Sequence, residues 1–426
     1  MKYSTTLIDE FENKLYDQLL SKIYVDSNRI SYERKRYINA LKQYETLFGQ
    51  KDVEIYSAPG RSEIIGNHTD HQHGEVIATS INDDIIAIVS KSGSDCIRIV
   101  SDNYPMLVLS LHSLDRITNE EGTTLALIKG VLSGLKDKGY NLGSFDAYVT
   151  SDVLVGAGLS SSAAFETLIG TIISGLFNDM RIDPVEIARI GQYAENIYFG
   201  KPCGLMDQMA CSIGGFIHIN FADTVNPVAT PIGFNMEEYG YSLCIVDTKG
   251  SHSDLTSDYS AIPSEMKSVA NYFGKTVLGE VSKDEFFANL GRLNNSISHR
   301  AILRAIHFFE ENERVRSCAT ALKSNNIEEF LKTICTSGNS SFKYLQNIYT
   351  NSDVTHQNIS LALAISETIL KDNGVVRVHG GGFAGTIQAF VKNEYVSAYK
   401  SSIEEVFGLG SCKILKIREY GGLKVV

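Results

Sequence analysis

Val155-Gly156-Ala157-Gly158-Leu159-Ser160-Ser161-Ser162-Ala163-Ala164 stands between a strand-like run and an apolar helix-like one. Its glycines let the backbone turn tightly and bring N–H groups close to a ligand. Its serines open a helix, whose unpaired N–H groups and positive dipole end favour an anion, and the small alanines allow close approach. Two readings of the segment stand side by side: a loop that wraps a phosphate chain, or a Ser N-cap after a flexible turn. No G-x-x-x-x-G-K-[ST] occurs anywhere, which excludes an ordinary P-loop. The dinucleotide fingerprint G-x-G-x-x-G is incomplete, because position 161 is serine.

Upstream, Phe145 to Thr150 reads as a strand and Thr123 to Lys138 as a helix. Val76 to Ser90, Ile97 to Val100 and Met106 to Leu109 have strand character. Val53 to Tyr56 alternates like a strand and runs into Ser57-Ala58-Pro59-Gly60-Arg61. Residues 5–47 are polar with apolar positions at helical spacing (Leu15, Leu19, Leu20, Ile23), the pattern of one or two surface helices. Downstream, an apolar helix runs from Ala163 to about Phe177, and another begins at Pro184 behind an Asp183 N-cap. Strands follow near 216–220 and 242–247, then a mostly helical stretch over 263–370. Two strands, Val375 to Val378 and Thr386 to Val391, bracket a further glycine cluster before a helix at 393–406 and a strand at 412–418. A sheet-rich first half and a helix-rich second half predict an α+β, two-lobed fold with domains at 1–225 and 226–426.

The chain has 426 residues, 43% hydrophobic and 21% charged, too many for one ordinary core and typical of a soluble globular protein. A formal charge of −11 argues against a nucleic-acid partner, yet leaves room for a small phosphate site with local positive potential. The seven cysteines are odd in number and form no CxxC pair, so neither a disulfide framework nor a zinc knuckle is expected. The acidic start and the lack of a long apolar run predict a cytoplasmic protein with no membrane association.

Two other glycine-bearing segments carry candidate chemistry. Gly200-Lys201-Pro202-Cys203-Gly204-Leu205-Met206-Asp207-Gln208 places an acid in apolar surroundings, which is costly unless it is paired or functional; a helix cap is the plainer reading. His379-Gly380-Gly381-Gly382-Phe383-Ala384-Gly385 is either a turn or a backbone able to lie against a substrate. Glu195, read alone, is a solvated helix residue. The cluster His68-Thr69-Asp70-His71-Gln72-His73 invites a zinc reading, though no H-E-x-x-H motif accompanies it.

The order of these pieces resembles the galactokinases of the GHMP superfamily. Ala58-Pro59-Gly60-Arg61-Ser62-Glu63-Ile64-Ile65-Gly66-Asn67-His68-Thr69-Asp70 is similar to the family signature P-G-R-x-x-x-I-G-E-H-T-D. Gly-Leu-Ser-Ser-Ser-Ala-Ala, Cys-Gly-Leu-Met-Asp-Gln and Gly-Gly-Gly-Phe-Ala-Gly follow in the family's order, and the likeness spans roughly residues 53–392. The resemblance implies a two-lobed GHMP kinase fold with mixed and antiparallel sheets, a helix-rich C-terminal lobe, and transfer of the ATP γ-phosphoryl to the anomeric hydroxyl of galactose. In that frame Gly156, Gly158, Leu159, Ser160, Ser161, Ser162 and Ala163 bind ATP, and Ser162, with Ser161 beside it, holds Mg2+ together with Glu195. Asp207 is the catalytic aspartate and Arg61 its partner. Asn67, His68, Asp70, Gly204, Asp207, Tyr259, Gly381 and Gly382 line the sugar site. The implied partners are a small sugar and MgATP, with a monomer or weak homo-oligomer as the assembly.

The departures concern the sugar. The family carries Glu where this chain has Asn67, Tyr-Asn where His71-Gln72 stand, and Asn-x-Arg after the tyrosine matched by Tyr259, seven residues beyond His252. A neutral Asn67 implies weaker discrimination at carbon 6, restored by Asn67→Glu. A kinase for galacturonate or N-acetylgalactosamine is thus the alternative, and a non-catalytic sugar sensor a further one, disfavoured by the complete serine loop.

Overall fold

The computed structural model describes residues 1–102, 104–153, 158–224, 226–250, 255–383 and 385–426. Expectations for Gly156 and His252 lie outside these residues. The chain forms two compact units from discontinuous segments: 1–61, 79–215 and 416–426 in the first, 62–78 and 216–415 in the second. The sequence reading expects two consecutive domains instead. The difference arises because the long strands Asp52–Ile65 and Glu75–Lys91 each continue past a unit boundary, and because residues 416–426 return to the first unit.

In the first unit, residues 85–91 pair antiparallel with Phe145–Ser151, which pairs in parallel with Cys96–Ser101; that strand pairs antiparallel with Leu107–Ser110. The sheet is therefore mixed. Pro59, Gly60 and Arg61 belong to the strand Asp52–Ile65, which thus runs well beyond the expected Val53 to Tyr56. Gly60 is needed there because an added Cβ would meet the Leu159 carbonyl at 2.9 Å. Helices Thr124–Asp137, Ser161–Asn178 and Pro184–Tyr193 are buried along their apolar faces, the last opened by the Asp183 side chain accepting from the Val185 N–H.

The N-terminal segment departs from expectation. It forms three helices, Ser4–Glu12, Asp17–Tyr24 and Ile30–Phe48, and they carry a core of their own rather than lying on the surface. Leu7, Phe11, Leu20, Ile23, Tyr24, Tyr37, Leu41 and Tyr44 bury against Val53, Ile55, Ile86 and Ile88. Leu15, by contrast, is exposed.

The second unit holds a four-stranded antiparallel sheet in the order Gly374–Val378, Thr386–Lys392, Tyr241–Asp247, Cys412–Leu415. Helices Asn358–Leu370 and Val396–Phe407 pack apolar residues against it. A second core gathers Ile262, Met266, Phe286, Ala305, Phe308 and Leu345 around the long helix His299–Lys323. No helix among the described residues is long and apolar enough to cross a membrane.

Candidate active site

The candidate residues divide between the units. In the first, Ser160 precedes the helix Ser161–Asn178 in a left-handed conformation (φ +55°) and its side chain does not cap the helix. The Ser160 hydroxyl instead donates to Asp207 Oδ2. Asp207 lies in the first turn of the helix Met206–Ile213. Arg61 grips it with a fork: Nε donates to Oδ1 and Nη2 to Oδ2, both at 2.7 Å, while Nη1 donates to the Gly158 carbonyl. Burial pushes the Asp207 carboxyl up, but the Arg61 charge and hydrogen bonds, the Ser160 hydroxyl and Lys201 outweigh it and hold the group below its usual range. With 32% of its side chain exposed, Asp207 is charged and reachable.

Beside this cluster, Ser162 Oγ donates to Glu195 Oε1 at 3.1 Å. Glu195 is buried in a π-helical turn, Ala194–Phe199, that continues the preceding helix. Lys201 Nζ reaches the same Oε1 at 3.0 Å, and Gln208 Nε2 donates to Oε2 at 2.9 Å. A hydroxyl and a carboxylate oxygen side by side are a hard-oxygen donor set that fits Mg2+, which keeps most of its waters. The Lys201 side chain, 63% exposed, already places a cation on that oxygen. Leu159 and Ala163 are buried, the Leu159 carbonyl accepting the Arg61 N–H at 3.2 Å, and Ser161 and Gly204 are more open.

In the second unit, side chains converge on the carbonyls of the glycine loop. Asn67 Nδ2 donates to the Gly380 carbonyl (2.6 Å) and to Glu63 Oε1 (3.1 Å), and Asn67 Oδ1 accepts from Asn347 Nδ2 (2.7 Å). Asn67 is only 1% exposed. Both its N–H groups are used within the protein, which differs from the expectation of an amide turned to a ligand. A carboxylate is nevertheless present beside it, on Glu63.

His68 Nε2 lies 3.0 Å from the Gly381 carbonyl. A carbonyl only accepts, so the proton is on Nε2 and Nδ1 accepts from His71 Nε2, 3.3 Å away. Burial first, then neighbouring His71, lowers His68 to about 3, so it is neutral at pH 7. The Tyr259 hydroxyl donates to the Gly382 carbonyl at 2.7 Å. Gly382 has φ +84°, and an added Cβ would meet the Asn347 carbonyl at 1.9 Å. Asp70 opens the short 3-10 turn Asp70–Gln72 and is half-buried. No group of three or more His, Cys, Asp or Glu side chains among the described residues is arranged to hold a metal ion.

Sequence reasoning passed over Glu63, Lys201, Gln208 and Asn347. Gln208 and Lys201 flank Asp207 within a quoted motif and could have been found. Asn347 stands in no motif and carries no local signal.

The profile of the GHMP kinases N terminal domain matches residues 126–215, and the Galactokinase galactose-binding signature matches residues 42–91. A galactokinase of Glaesserella parasuis serovar 5 is 30% identical over 371 residues, covering 85% of this chain and 91% of its own. A galactokinase of Streptomyces coelicolor is 28% identical over 378 residues, covering 89% and 95%. The crystal structure of Lactococcus lactis galactokinase complexed with galactose has a TM-score of 0.75 at 23% identity, covering 90% of this chain and 98% of its own, a likeness of fold.

Proposed function

The chain belongs to the galactokinase family, and from that premise we propose that it transfers the γ-phosphoryl group of ATP to the anomeric hydroxyl of galactose. The observation that carries the reading is the Arg61 fork on Asp207, with the Ser160 hydroxyl on the same carboxylate. Phosphoryl transfer asks for positioning and charge neutralisation more than for covalent chemistry. Asp207, charged and partly exposed, accepts the hydrogen bond of the sugar hydroxyl and takes its proton as the new O–P bond forms and the bond from the γ-phosphorus to the β,γ-bridging oxygen breaks, leaving ADP. Arg61 keeps the carboxylate ionised and aligned, at the cost of some basicity. The N–H groups opening the helix Ser161–Asn178 face the anionic phosphates.

Ser162 and Glu195 hold Mg2+ in this reading, and the metal, when bound, neutralises phosphate charge. Glu195, shared by Lys201 and Gln208, keeps a fixed orientation toward Ser162. In the second unit, Asp70 with His68, Tyr259 and the loop Gly381–Gly382 supply the sugar contacts. Asp70, as a carboxylate, accepts from two vicinal hydroxyls. The Glu63 carboxylate, accepting from the Asn67 amide at 3.1 Å, supports galactose over a relaxed specificity at carbon 6.

A coupled assay of ATP turnover with galactose, galacturonate, N-acetylgalactosamine, arabinose and mevalonate tests the proposal. Turnover on galactose, at least tenfold in kcat/KM above every other compound, is expected. Preference for any other acceptor, or none at all, overturns it.

A further inference from the structure

Glu166 has no part in the chemistry above. It lies four residues beyond Ser162 on the helix Ser161–Asn178 and is wholly buried. Its Oε2 accepts from Gln208 Nε2 at 3.1 Å, and the same nitrogen donates to Glu195 Oε2 at 2.9 Å. A nitrogen with two hydrogens satisfies two carboxylates at once, whereas the amide oxygen in that place would face two acceptors. Gln208 is also wholly buried, next in sequence to Asp207. Gly191 makes room for the pair: a Cβ there would come within 3.0 Å of Glu166 Oε2 and 3.1 Å of Gln208 Cγ.

Glu166 Oε1 and Gln208 Oε1 have no hydrogen-bond partner among the described residues. A buried carboxyl with half its bonding capacity unused is a poor way to fill space, since leucine would do so without desolvating a polar group. What the acid does is anchor the amide. Burial and the charge of Glu195 push Glu166 above the usual carboxylate range, which favours a neutral acid behind the Glu195 carboxylate.

We propose that Glu166 is a positioning residue for the divalent-cation site: acting through the Gln208 amide, it fixes the Glu195 carboxylate so that Oε1 stays beside Ser162. This rests on the nucleotide-site reading above and is independent of which sugar is used.

The test counts bound Mn2+ by electron paramagnetic resonance, with a non-hydrolysable ATP analogue present and no turnover. Glu166→Leu and Gln208→Met are each expected to weaken Mn2+ binding tenfold or more while galactose KM stays within twofold. Because the two act in series, the double variant should be no weaker than the weaker single one. Glu166→Gln, whose amide oxygen can accept from Gln208, should recover affinity to within about threefold of the unaltered protein. The proposal is overturned if folded Glu166→Leu binds Mn2+ within twofold of normal, if the two losses multiply, or if galactose KM rises in step with the metal constant. Should Glu166→Leu fail to fold, Glu166→Met, which likewise cannot accept from Gln208, takes its place with the same expected loss and the same overturning result. Failure to phosphorylate galactose alongside this Mn2+ pattern would remove the sugar assignment and leave Glu166 in place.

Discussion

At the scale of single residues, the contrast between Asp207 and Asn67 is one of reach. Asp207 is charged, aligned by Arg61 and partly exposed, so its remaining acceptor capacity is open to a ligand. Asp207→Asn keeps the shape, removes the charge and turns one acceptor into a donor facing Arg61. Its kcat should fall at least ~100-fold, with sugar KM little altered, in steady-state assays. Arg61→Ala should lower kcat more than it raises KM for ATP, because its charge matters most as phosphoryl charge redistributes. Asn67 faces inward, and the consequence reverses the expectation drawn from sequence. Asn67→Glu would bring a second carboxylate against Glu63 and the Gly380 carbonyl, in a place with almost no solvent. Unfolding in urea should show a loss of about 3 kcal/mol, and galactose kcat/KM should fall rather than rise. The paired change Glu63→Gln with Asn67→Glu again sets one acid against one amide and should recover most of that loss. A stable, more active Asn67→Glu protein would mean that position 67 does turn toward the ligand.

At the scale of elements, local pattern served best where one segment makes its own structure. The apolar run after the serines is the helix Ser161–Asn178, and the strand-like run 145–150 is the strand Phe145–Ser151. It served less well where a distant partner decides. The strand-like run Val53 to Tyr56 is extended by the structure through Pro59 and Gly60, where the Leu159 carbonyl needs the space beside Gly60. The N-terminal helices look like surface because charge is frequent in them, but Arg36 and Glu33 are buried and paired. Arg36 donates to Asp84 at 2.6 Å, and Arg418, from the far end of the chain, reaches the same carboxylate at 3.0 Å. Tyr24 and Ser57 also donate to it. This knot ties the helices to the sheet of the first unit. Arg36→Met should therefore cost about 3–5 kcal/mol in urea unfolding, since it strips one partner from a fully buried acid. A change under 1 kcal/mol would show that the apolar core alone holds these helices.

At the scale of the whole molecule, segments 62–78 and 416–426 cross between units in a way no single stretch of sequence announces. Residues 62–78 carry buried polar groups as well as the buried apolar Ile64, Ile65, Val76 and Ile77. Gly66 N–H donates to Glu311 Oε1 at 3.2 Å, and His307 Nε2 donates to the Asn67 carbonyl at 2.9 Å. These groups give the second unit a predictable response to acid. His307 is wholly buried, with Ser340 on its other nitrogen and Glu311, Arg314 and Arg377 around it. Burial lowers it to about 4, against an ordinary value of 6.5. Below pH 6.5 the unfolded chain takes up this proton and the folded chain does not, so stability falls from pH 6.5 down to about 4. Glu311 extends the effect. Burial pushes it up, but His307, Arg314 and Arg377 outweigh that and hold it at about 2, so its contribution is lost as pH falls from 4.5 toward 2. The His307 part alone is worth roughly 3 kcal/mol, at 1.36 kcal/mol per unit of pKa. Urea midpoints of the second unit should thus decline below pH 6.5, well before ordinary carboxylates protonate. His307→Gln, which can still donate to the Asn67 carbonyl, should lower stability at pH 7 and reduce the slope between pH 6.5 and 4, leaving there the share of His68, which burial also lowers, and leaving Glu311 its part of the lower limb. If the variant keeps the full slope in that window, the titrating group is elsewhere, and His307 is only a hydrogen-bond donor in the join.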